Sequence, residues 1–452
     1  MTGTLGGVSV LVAGAGLAGL TAARELVAMG ATVTVVEARD RVGGRVWTVR
    51  EGFDSGQHAE AGGDLIDHGQ TEIRRLAGEL GLNLTRILRS GWAEVRTNGS
   101  GRTRIVSRGV ASGWERVDRS LAELVERYRL AERRWDSPIA TELAKRSVTE
   151  WLNDTRADED LRHTATALRG FFLADPDELS LLSLVDQFAS DAQLVGHPIY
   201  RIEGGNDRLA AALAVALGGR IHLGTELTAV SQRGSGVRAS LRHNRTASQI
   251  QADYLLFALP APLLRRIPVT PALPKQQHEA IATLAYGRVT KTLLQFSNRF
   301  WRKPGRPRAF GSSLPLGAVW DGNEEQRGRP GILALMAGGS ASDATAALTS
   351  KEGPPGLAKM LDWLSPSRAE LMSCHQTTWD TEAWSRGGYA FFDPAYDPAL
   401  RAWLARPCGR LFFAGEHTSF AWQGYMNGAI ETGRRAAAEI DAAHRLSSAA
   451  RS

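Results

Sequence analysis

The chain has 452 residues, of which 43% are hydrophobic and 23% charged, as in a soluble globular protein of roughly two to three domains, which excludes a disordered chain. The formal net charge is +6 without a block of like charges, so we expect no nucleic-acid partner. Two cysteines, Cys374 and Cys408, cannot form a disulfide framework, and no apolar run approaches the ~18 residues that a membrane span needs. We therefore expect a cytoplasmic protein with no membrane partner.

The first forty residues carry the clearest pattern. Residues 8–13 predict a buried strand, 17–29 a helix that stops at Gly30, and 31–36 a second strand. This order predicts a βαβ unit in a parallel sheet, with a glycine-rich turn between the first strand and the helix.

Three glycines at this turn fit the dinucleotide-binding fingerprint. Gly14 permits the tight turn, Gly16 lets the backbone approach a pyrophosphate, and Gly19 allows the helix to pack closely on the strand. Glu37 lies 23 residues after Gly14, where a carboxylate can accept hydrogen bonds from both ribose hydroxyls and disfavours a 2′-phosphate. The turn therefore predicts FAD or NAD rather than NADP.

The remaining chain alternates between helical and strand-like texture. Helices are predicted over 70–90, 113–134, 140–190 and 428–442. Strands are predicted over 200–202, 221–230, 254–259, 288–296, 331–336 and 411–414. Because the βαβ unit and a C-terminal glycine-rich segment flank a long helical stretch, we expect two interleaved domains, one of which binds the nucleotide.

The segment after the ribose carboxylate separates FAD from NAD. Residues 37–45 read EARDRVGGR, which adds two glycines and an arginine that suit a longer, doubly anionic cofactor. This string resembles the extended motif of the flavin-containing amine oxidase family. Further segments resemble other motifs of that family in the same order along the chain, at 60–64, 204–209, 228–230, 252–260, 413–419 and 424–430.

The resemblance implies an α/β fold, α+β overall, in which a Rossmann-like FAD-binding domain of the amine oxidase type is interleaved with a substrate domain of mixed sheet and helices. The FAD-binding domain would comprise 1–80, 201–270 and 385–445, and the substrate domain 81–200 and 271–384. The implied activity is FAD-dependent oxidation of an amine to an imine, with dioxygen reduced to hydrogen peroxide. The partners would be a small amine and dioxygen, and a homodimer is left open.

The resemblance also implies the cofactor site, with no metal. Its residues would be Gly14, Ala15, Gly16, Leu17, Ala18, Gly19, Glu37, Ala38, Arg39, Gly43, Gly44, Arg45, Gly62, Gly63, Asp64, Val230, Trp384, Gly415, Glu416, Gly424, Tyr425 and Met426. A backbone amide near Val230 would meet the adenine. Covalent relatives carry a cysteine where this chain has Gly388, so we expect non-covalent FAD, with Cys374 and Cys408 as packing residues.

The expected catalytic group consists of Lys291, Tyr389 and Tyr425. Lys291 lies in a strand-like run and, by pattern alone, reads as a solvent-facing lysine on an edge strand. The resemblance instead implies that Lys291 holds a water against the flavin N5, and that Tyr389 and Tyr425 form an aromatic pair before the flavin. Each tyrosine alone could be an ordinary half-buried residue. His417 is interpreted as a structural or cofactor-side histidine rather than a general base.

The chain departs from the family pattern where substrate choice is concerned. The segment 60–64 resembles the second glycine turn of the family, after which L-amino-acid oxidases carry a carboxylate-binding arginine. Here Gly63 is followed by Asp64, so a plain amine is favoured. An arginine from the unmatched stretch 82–200 could substitute. Asp64 and Asp67 would either attract the second cationic group of a diamine or, as the pattern favours, be exposed loop carboxylates.

Three alternatives remain at this point. The first is an L-amino-acid oxidase, which a carboxylate on the substrate would distinguish. The second is an FAD-dependent C–C desaturase or porphyrinogen-type oxidase of the same fold, which would not need Lys291. The third is a flavin-bound scaffold without turnover.

Overall fold

A computed structural model of the chain describes residues 3–97, 102–106, 110–189, 198–234, 236–366 and 369–449. The strands in these ranges are β1 (Ser9–Ala13), β2 (Thr32–Val36), β3 (Thr48–Val49), β4 (Ala59–Glu60), β5 (Ile66–Asp67), β6 (Leu84–Ile87), β7 (Trp92–Thr97), β8 (Thr103–Val106), β9 (Ile199–Ile202), β10 (Ile221–His222), β11 (Thr225–Arg233), β12 (Gly236–His243), β13 (Thr246–Ala252), β14 (Tyr254–Phe257), β15 (Val269–Thr270), β16 (Ala285–Tyr286), β17 (Val289–Phe296), β18 (Ala309–Ser312), β19 (Ala318–Asp321), β20 (Gly331–Gly338), β21 (Leu371–Thr378), β22 (Ala390–Phe391) and β23 (Leu411–Phe413).

The helices cover most of the predicted helical segments. They are α1 (Leu17–Ala28), α2 (Thr71–Glu79), α3 (Val110–Leu130), α4 (Pro138–Ala144), α5 (Val148–Asp154), α6 (Glu159–Ala167), α7 (Arg169–Phe172), α8 (Leu181–Ala189), α9 (Asp207–Leu217), α10 (Ala261–Leu264), α11 (Lys275–Thr283), α12 (Ser340–Lys359) and α13 (Met426–Ala449). The last residue of the predicted segment 140–190 lies outside the described residues. Within them, no helix is long and apolar enough to cross a membrane.

One helix prediction was too long. The predicted helix over 70–90 ends at Glu79 because Gly81 adopts φ +69°, a left-handed conformation that closes the helix. The amide of Leu82 donates to the carbonyl of Ala77 over 2.8 Å, which completes the cap. The following residues form β6, which pairs with β9 instead.

A five-stranded parallel sheet carries the predicted nucleotide-binding unit. Its strand order is β10–β2–β1–β14–β23, and every pairing is parallel. Helices α1 and α13 cover one face of this sheet, where they form a core with Val10 and Val12 of β1 and Leu256 of β14. The predicted βαβ unit is confirmed, and its glycine turn lies at the carboxyl edge of the sheet, where ligands of such folds bind.

A second, mixed sheet of seven strands has the order β21–β17–β20–β19–β18–β7–β8. Strand β17 lies inside this sheet, with β20 on one side and β21 on the other, and all of its residues are buried. The edge-strand interpretation of Lys291 was therefore wrong. Helix α7 packs against β20, which brings the helical stretch of the chain next to this sheet.

Candidate active site

One cavity of about 1230 Å³ joins the two sheets. At one end it is lined by Gly14 and Glu37 at the carboxyl edge of the parallel sheet. At the other end it is lined by Lys291 of β17 and by Tyr389 and Tyr425. The dinucleotide turn and the expected catalytic group thus share a single space.

The three glycines of the turn occupy three different environments. Gly14 has φ +104°, and a Cβ there would lie 2.6 Å from the carbonyl oxygen of Ala258. A Cβ on Gly19 would lie 1.9 Å from the carbonyl oxygen of Gly14, so the helix packs directly on the turn. A Cβ on Gly16 would meet no protein atom within 4 Å, because this residue faces the cavity. The turn leaves open the space that a pyrophosphate requires.

Glu37 is buried directly after β2, and its carboxylate already accepts two hydrogen bonds from backbone amides. Its Oε2 accepts from the amide of Ala15 over 2.8 Å, and its Oε1 accepts from the amide of Arg39 over 3.0 Å. An ionised carboxylate has about four acceptor positions, so two remain for ribose hydroxyls. Glu37 therefore both shapes the turn and can bind the ligand.

Glu37→Gln is expected to weaken FAD binding by about 10-fold or more, since a charge-assisted hydrogen bond contributes about 1.5–3 kcal/mol. Titration of the apoprotein with FAD measures this. Glu37→Ala is the comparison, because it removes the acceptors of both the Ala15 and the Arg39 amide, whereas glutamine keeps one acceptor oxygen, so the melting temperature of the apoprotein should fall further in Glu37→Ala. An unchanged dissociation constant in both variants would mean that Glu37 does not face the ribose.

An ion pair between the half-buried Arg45 and the buried Glu416 ties distant segments of the chain together. Nη1 of Arg45 donates to the carbonyl of Gly388 over 2.6 Å and to Oε1 of Glu416 over 2.9 Å. Oε2 of Glu416 accepts from the amide of Gly424 over 3.0 Å. Burial would raise the pKa of Glu416, but the charge of Arg45, together with the hydrogen bonds from Arg45 and from the amide of Gly424, outweighs it and lowers the pKa. Burial lowers the pKa of His417 to about 4, so this histidine is neutral at pH 7.

The two tyrosines are held rigidly. The Tyr389 hydroxyl donates to the carbonyl of Phe171 in α7, and the Phe171 ring lies edge-on to Tyr425 at 6.2 Å. Trp422 contacts Tyr425 in the same manner at 5.6 Å. Gly424 has φ +82°, and a Cβ there would lie 3.1 Å from the Tyr389 ring. Burial raises the pKa of both phenols, so both walls of this part of the cavity are uncharged.

Lys291 extends from β17 towards the second glycine turn. Its Nζ donates to the carbonyl of Gly62 over 2.9 Å and to Oδ2 of Asp64 over 3.0 Å. The Trp320 ring centroid lies 5.1 Å from the same nitrogen. Burial lowers the pKa of Lys291, and the charge of Asp64 partly offsets that effect.

Most predicted cofactor residues line the cavity, with three exceptions. Ala15 and Gly19 do not line it. Val230 is buried, and its amide donates to the carbonyl of Pro268 over 2.9 Å, so the predicted contact with adenine is not available to it. Leu227 and Thr228 of the same strand line the cavity instead. A bulge in the pairing of β11 between Leu227 and Ala229 shifts the strand at this point, which no sequence motif reveals.

The carboxylates after the second glycine turn differ from the expectation. Asp64 is buried and bound by Arg201 and Lys291, so it is neither an exposed loop carboxylate nor free for a diamine. Asp67 lies in β5, lines the cavity and accepts from Nε2 of Gln70 over 2.9 Å.

Sequence reasoning missed several lining residues for want of a motif. They include Phe171, Phe172, Trp320, Arg86 and Arg89. The two arginines come from the stretch 82–200 and are exposed at the cavity. The sequence indicated only that an arginine from the stretch 82–200 could bind a substrate carboxylate, and not which one.

The residues present fit FAD. The open space at Gly16 admits a pyrophosphate, and Glu37 retains acceptor positions for ribose. The same cavity continues past Gly62 and Gly63 to Lys291, which leaves room for a flavin ring beyond the dinucleotide turn.

Comparisons with known proteins agree with this site. The sequence model described as flavin containing amine oxidoreductase matches residues 17–441. The Mycobacterium tuberculosis protein AofH, which is named as a flavin-containing monoamine oxidase, is 30% identical over 96% of this chain and 97% of its own. Amine oxidase [flavin-containing] B of Cavia porcellus is 27% identical over 95% of this chain and 85% of its own.

Solved structures share the whole fold. Cyclohexylamine oxidase from Brevibacterium oxydans superposes with a TM-score of 0.84 at 28% identity, covering 97% of this chain and 99% of that one. Wild-type putrescine oxidase bound to putrescine superposes with a TM-score of 0.83 at 26% identity, covering 96% and 99%.

Proposed function

Because the chain belongs to the flavin-containing amine oxidoreductase family and is an FAD-dependent amine oxidase, we propose that the amine binds at the end of the cavity that carries Lys291, Tyr389 and Tyr425. The observation that carries the proposal is the continuity of this end with the glycine turn at Gly14. FAD bound at the turn would place its reactive end beside these three side chains.

FAD held at the Gly14 turn and by Glu37 would supply the redox chemistry, in which the amine loses a hydride equivalent from its α-carbon to become an imine and dioxygen is reduced to hydrogen peroxide. The residues at this end of the cavity favour the neutral form of the amine, which this step requires. An ammonium has no lone pair to support loss of hydride, and the half-buried rings of Tyr389 and Tyr425, which line this end of the cavity, disfavour the charged form by keeping water from it. The hydrogen bond from Tyr389 to Phe171 fixes one ring, so the amine meets a preformed slot.

An anaerobic titration tests the proposal. Addition of the amine substrate to the yellow holoenzyme should bleach the flavin absorbance without oxygen, and admission of air should restore it. Tyr389→Phe keeps the ring but loses the hydrogen bond to Phe171, so it should bleach more slowly than the wild type, whereas Tyr389→Ala opens the slot and should slow bleaching further. A flavin that no amine or amino acid bleaches would favour a scaffold without turnover.

We further propose that FAD is bound without a covalent bond. Position 388 is a glycine, and a Cβ there would lie 2.4 Å from Cδ1 of Leu173 and 2.6 Å from Cγ1 of Val289. A cysteine here would therefore force the Leu173 and Val289 side chains to shift. Cys374 and Cys408 are free, half-buried and away from the cavity, and burial raises the pKa of Cys374 to about 11.

Acid precipitation should release the flavin from the wild-type chain into the supernatant. Gly388→Cys should behave in the same way and lose about 1–3 kcal/mol of stability, because the added side chain overpacks against Leu173 and Val289. Gly388→Ala is the matched control for overpacking without a thiol. Flavin retained in the precipitate of either the wild type or Gly388→Cys contradicts the proposal.

The substrate class follows from the charges at the cavity. We propose a plain amine. Asp64 stands where a carboxylate-binding arginine would be expected, and its own carboxylate is already bound by Arg201 and Lys291. An L-amino acid is the second candidate, and the exposed Arg86 and Arg89 at the cavity favour it. Bleaching rates for matched pairs of amines with and without an α-carboxylate distinguish the two.

The predicted domain limits, the cytoplasmic location and the homodimer remain proposals. The parallel sheet draws its strands from all three predicted FAD-binding segments, which supports the interleaved arrangement. Two free cysteines support a reducing compartment.

A further inference from the structure

Asp64 is the centre of a buried ionic cluster. Its Oδ1 accepts from Nε and Nη2 of Arg201 over 2.9 and 2.6 Å. Its Oδ2 accepts from Nζ of Lys291 and from Nε1 of Trp320, both over 3.0 Å. Asp64 is 7% exposed and Lys291 2% exposed, so water competes little for these contacts.

These contacts determine the direction of the Lys291 ammonium. An ammonium has three N–H donors, and two of them are used by the carbonyl of Gly62 and by Asp64. Among the described residues no third acceptor contacts this nitrogen, while Lys291 lines the cavity. The third N–H is therefore left for whatever occupies the cavity at this point.

The charges of the cluster balance around one shared carboxylate. Arg201 and Lys291 are cations, and Asp64 and Glu325 are their carboxylate partners, with Glu325 bound to Arg201 over 2.8 Å and not to Lys291. Glu60 lies close by, and burial followed by the charge of Asp64 raises its pKa to about 8. Without the Asp64 charge, no described carboxylate would contact the Lys291 ammonium, while Arg201 would keep Glu325 as its partner.

We propose that Asp64 is a positioning residue for the reaction, which keeps the Lys291 amine charged and aims its remaining N–H into the cavity. The inference rests on the proposed function, which places the reacting end of the flavin at Lys291. Arg201 competes for the same carboxylate, so the two cations are coupled through Asp64. Trp320 holds Oδ2 from the other side and covers the ammonium with its ring.

The titration of Lys291 itself tests the proposal. The chain contains six lysines, so holoenzyme labelled with ¹⁵N at lysine Nζ gives few signals, and Lys291→Met identifies the one that belongs to Lys291. In Asp64→Asn the midpoint of that titration should fall by about one to three pH units, as expected when an adjacent opposite charge is lost. The rate of flavin reoxidation by oxygen should then decline as the pH rises through the new midpoint and recover at lower pH.

Two further variants keep the test decisive. Glu325→Gln removes a carboxylate from the same cluster that does not contact Lys291, and should shift the midpoint far less. Arg201→Gln removes the competing cation and should shift the midpoint upwards, which tests the coupling even if Asp64→Asn does not fold. An unchanged midpoint in Asp64→Asn, equal shifts in Asp64→Asn and Glu325→Gln, or no upward shift in Arg201→Gln overturns the proposal.

This result is separable from the proposed function. The titration is read without amine, so it can fail while amines still bleach the flavin. Conversely, if no amine bleaches the flavin, the proposed function is wrong even if Asp64 determines the titration midpoint of Lys291.

Discussion

Gly16→Ala is expected to weaken FAD binding by about 100-fold or more, because a methyl group would keep the pyrophosphate from backbone N–H groups whose charge-assisted bonds contribute about 1.5–3 kcal/mol each. The apoprotein should fold and melt as the wild type does. The added Cβ meets no protein atom within 4 Å, and Gly16 has φ −73°, which alanine adopts without strain. The lower affinity would therefore reflect the lost contact with FAD and not a change in the apoprotein.

Gly19→Ala is the matched control, two residues into the same helix. Its Cβ would lie 1.9 Å from the carbonyl oxygen of Gly14, so α1 must move away from the turn. We expect the apoprotein of this variant to lose about 1–3 kcal/mol of stability, as overpacked sites do. Melting curves of both apoproteins and titrations with FAD distinguish the two effects. Wild-type affinity in Gly16→Ala would show that the pyrophosphate does not approach this residue.

The nucleotide-binding half of the site could be predicted because its signals are local. The turn glycines, α1 and Glu37 lie within thirty residues, and the spacing alone specifies the geometry of strand, turn and helix. The structure adds only that Glu37 also accepts from Ala15 and Arg39. A carboxylate at the end of a strand indicates a ribose partner, whereas its backbone partners depend on how the following loop folds back.

The reacting half could not be predicted in the same way because its partners are distant in sequence. Asp64 meets Arg201 across 137 positions and Lys291 across 227, and each residue by itself reads as an ordinary surface charge. Only the pairing of β17 inside the seven-stranded sheet turns Lys291 towards the cavity. Non-local strand pairing carries no short sequence signal, so the edge-strand interpretation failed here.

The helical stretch before residue 190 shows a further limit of pattern reading. Its amphipathic spacing predicts helices, and these are present, but the same spacing does not tell which short helix reaches the site. Helix α7 is four residues long and supplies Phe171, whose carbonyl fixes the Tyr389 ring. A contact made by a backbone carbonyl has no side-chain signature, so the sequence could not have indicated it.

The coupling of Lys291 to Asp64 also changes what the lysine can do. A lone buried cation would strongly attract negative charge in the cavity, whereas a paired one contributes a directed N–H donor with part of its field cancelled. Lys291 therefore acts through position as much as through charge. This distinction matters for the step in which electrons pass to oxygen, because negative charge develops there over a short distance.

Lys291→Met is expected to slow the reoxidation of the flavin by oxygen by about 100-fold, the scale seen when a preorganised donor to developing negative charge is removed. Reduction by the amine should change less, since it depends mainly on orientation by Tyr389 and Tyr425. Methionine keeps the length and the apolar stem of lysine, and Asp64 retains Arg201 and Trp320 as partners, so the fold should persist. Stopped-flow measurement follows the two half-reactions separately.

Lys275→Met is the control for loss of a lysine charge, because Lys275 is exposed at the start of α11 and away from the cavity. Neither half-reaction should change in that variant. If only reduction slows in Lys291→Met, the lysine positions the amine rather than assisting the reaction with oxygen. If neither slows, the buried pair of Lys291 and Asp64 only supports the second glycine turn, and the reacting end of the cavity lies elsewhere. The expected asymmetry follows from the geometry, because the one N–H that the described residues leave without an acceptor on Lys291 faces the cavity.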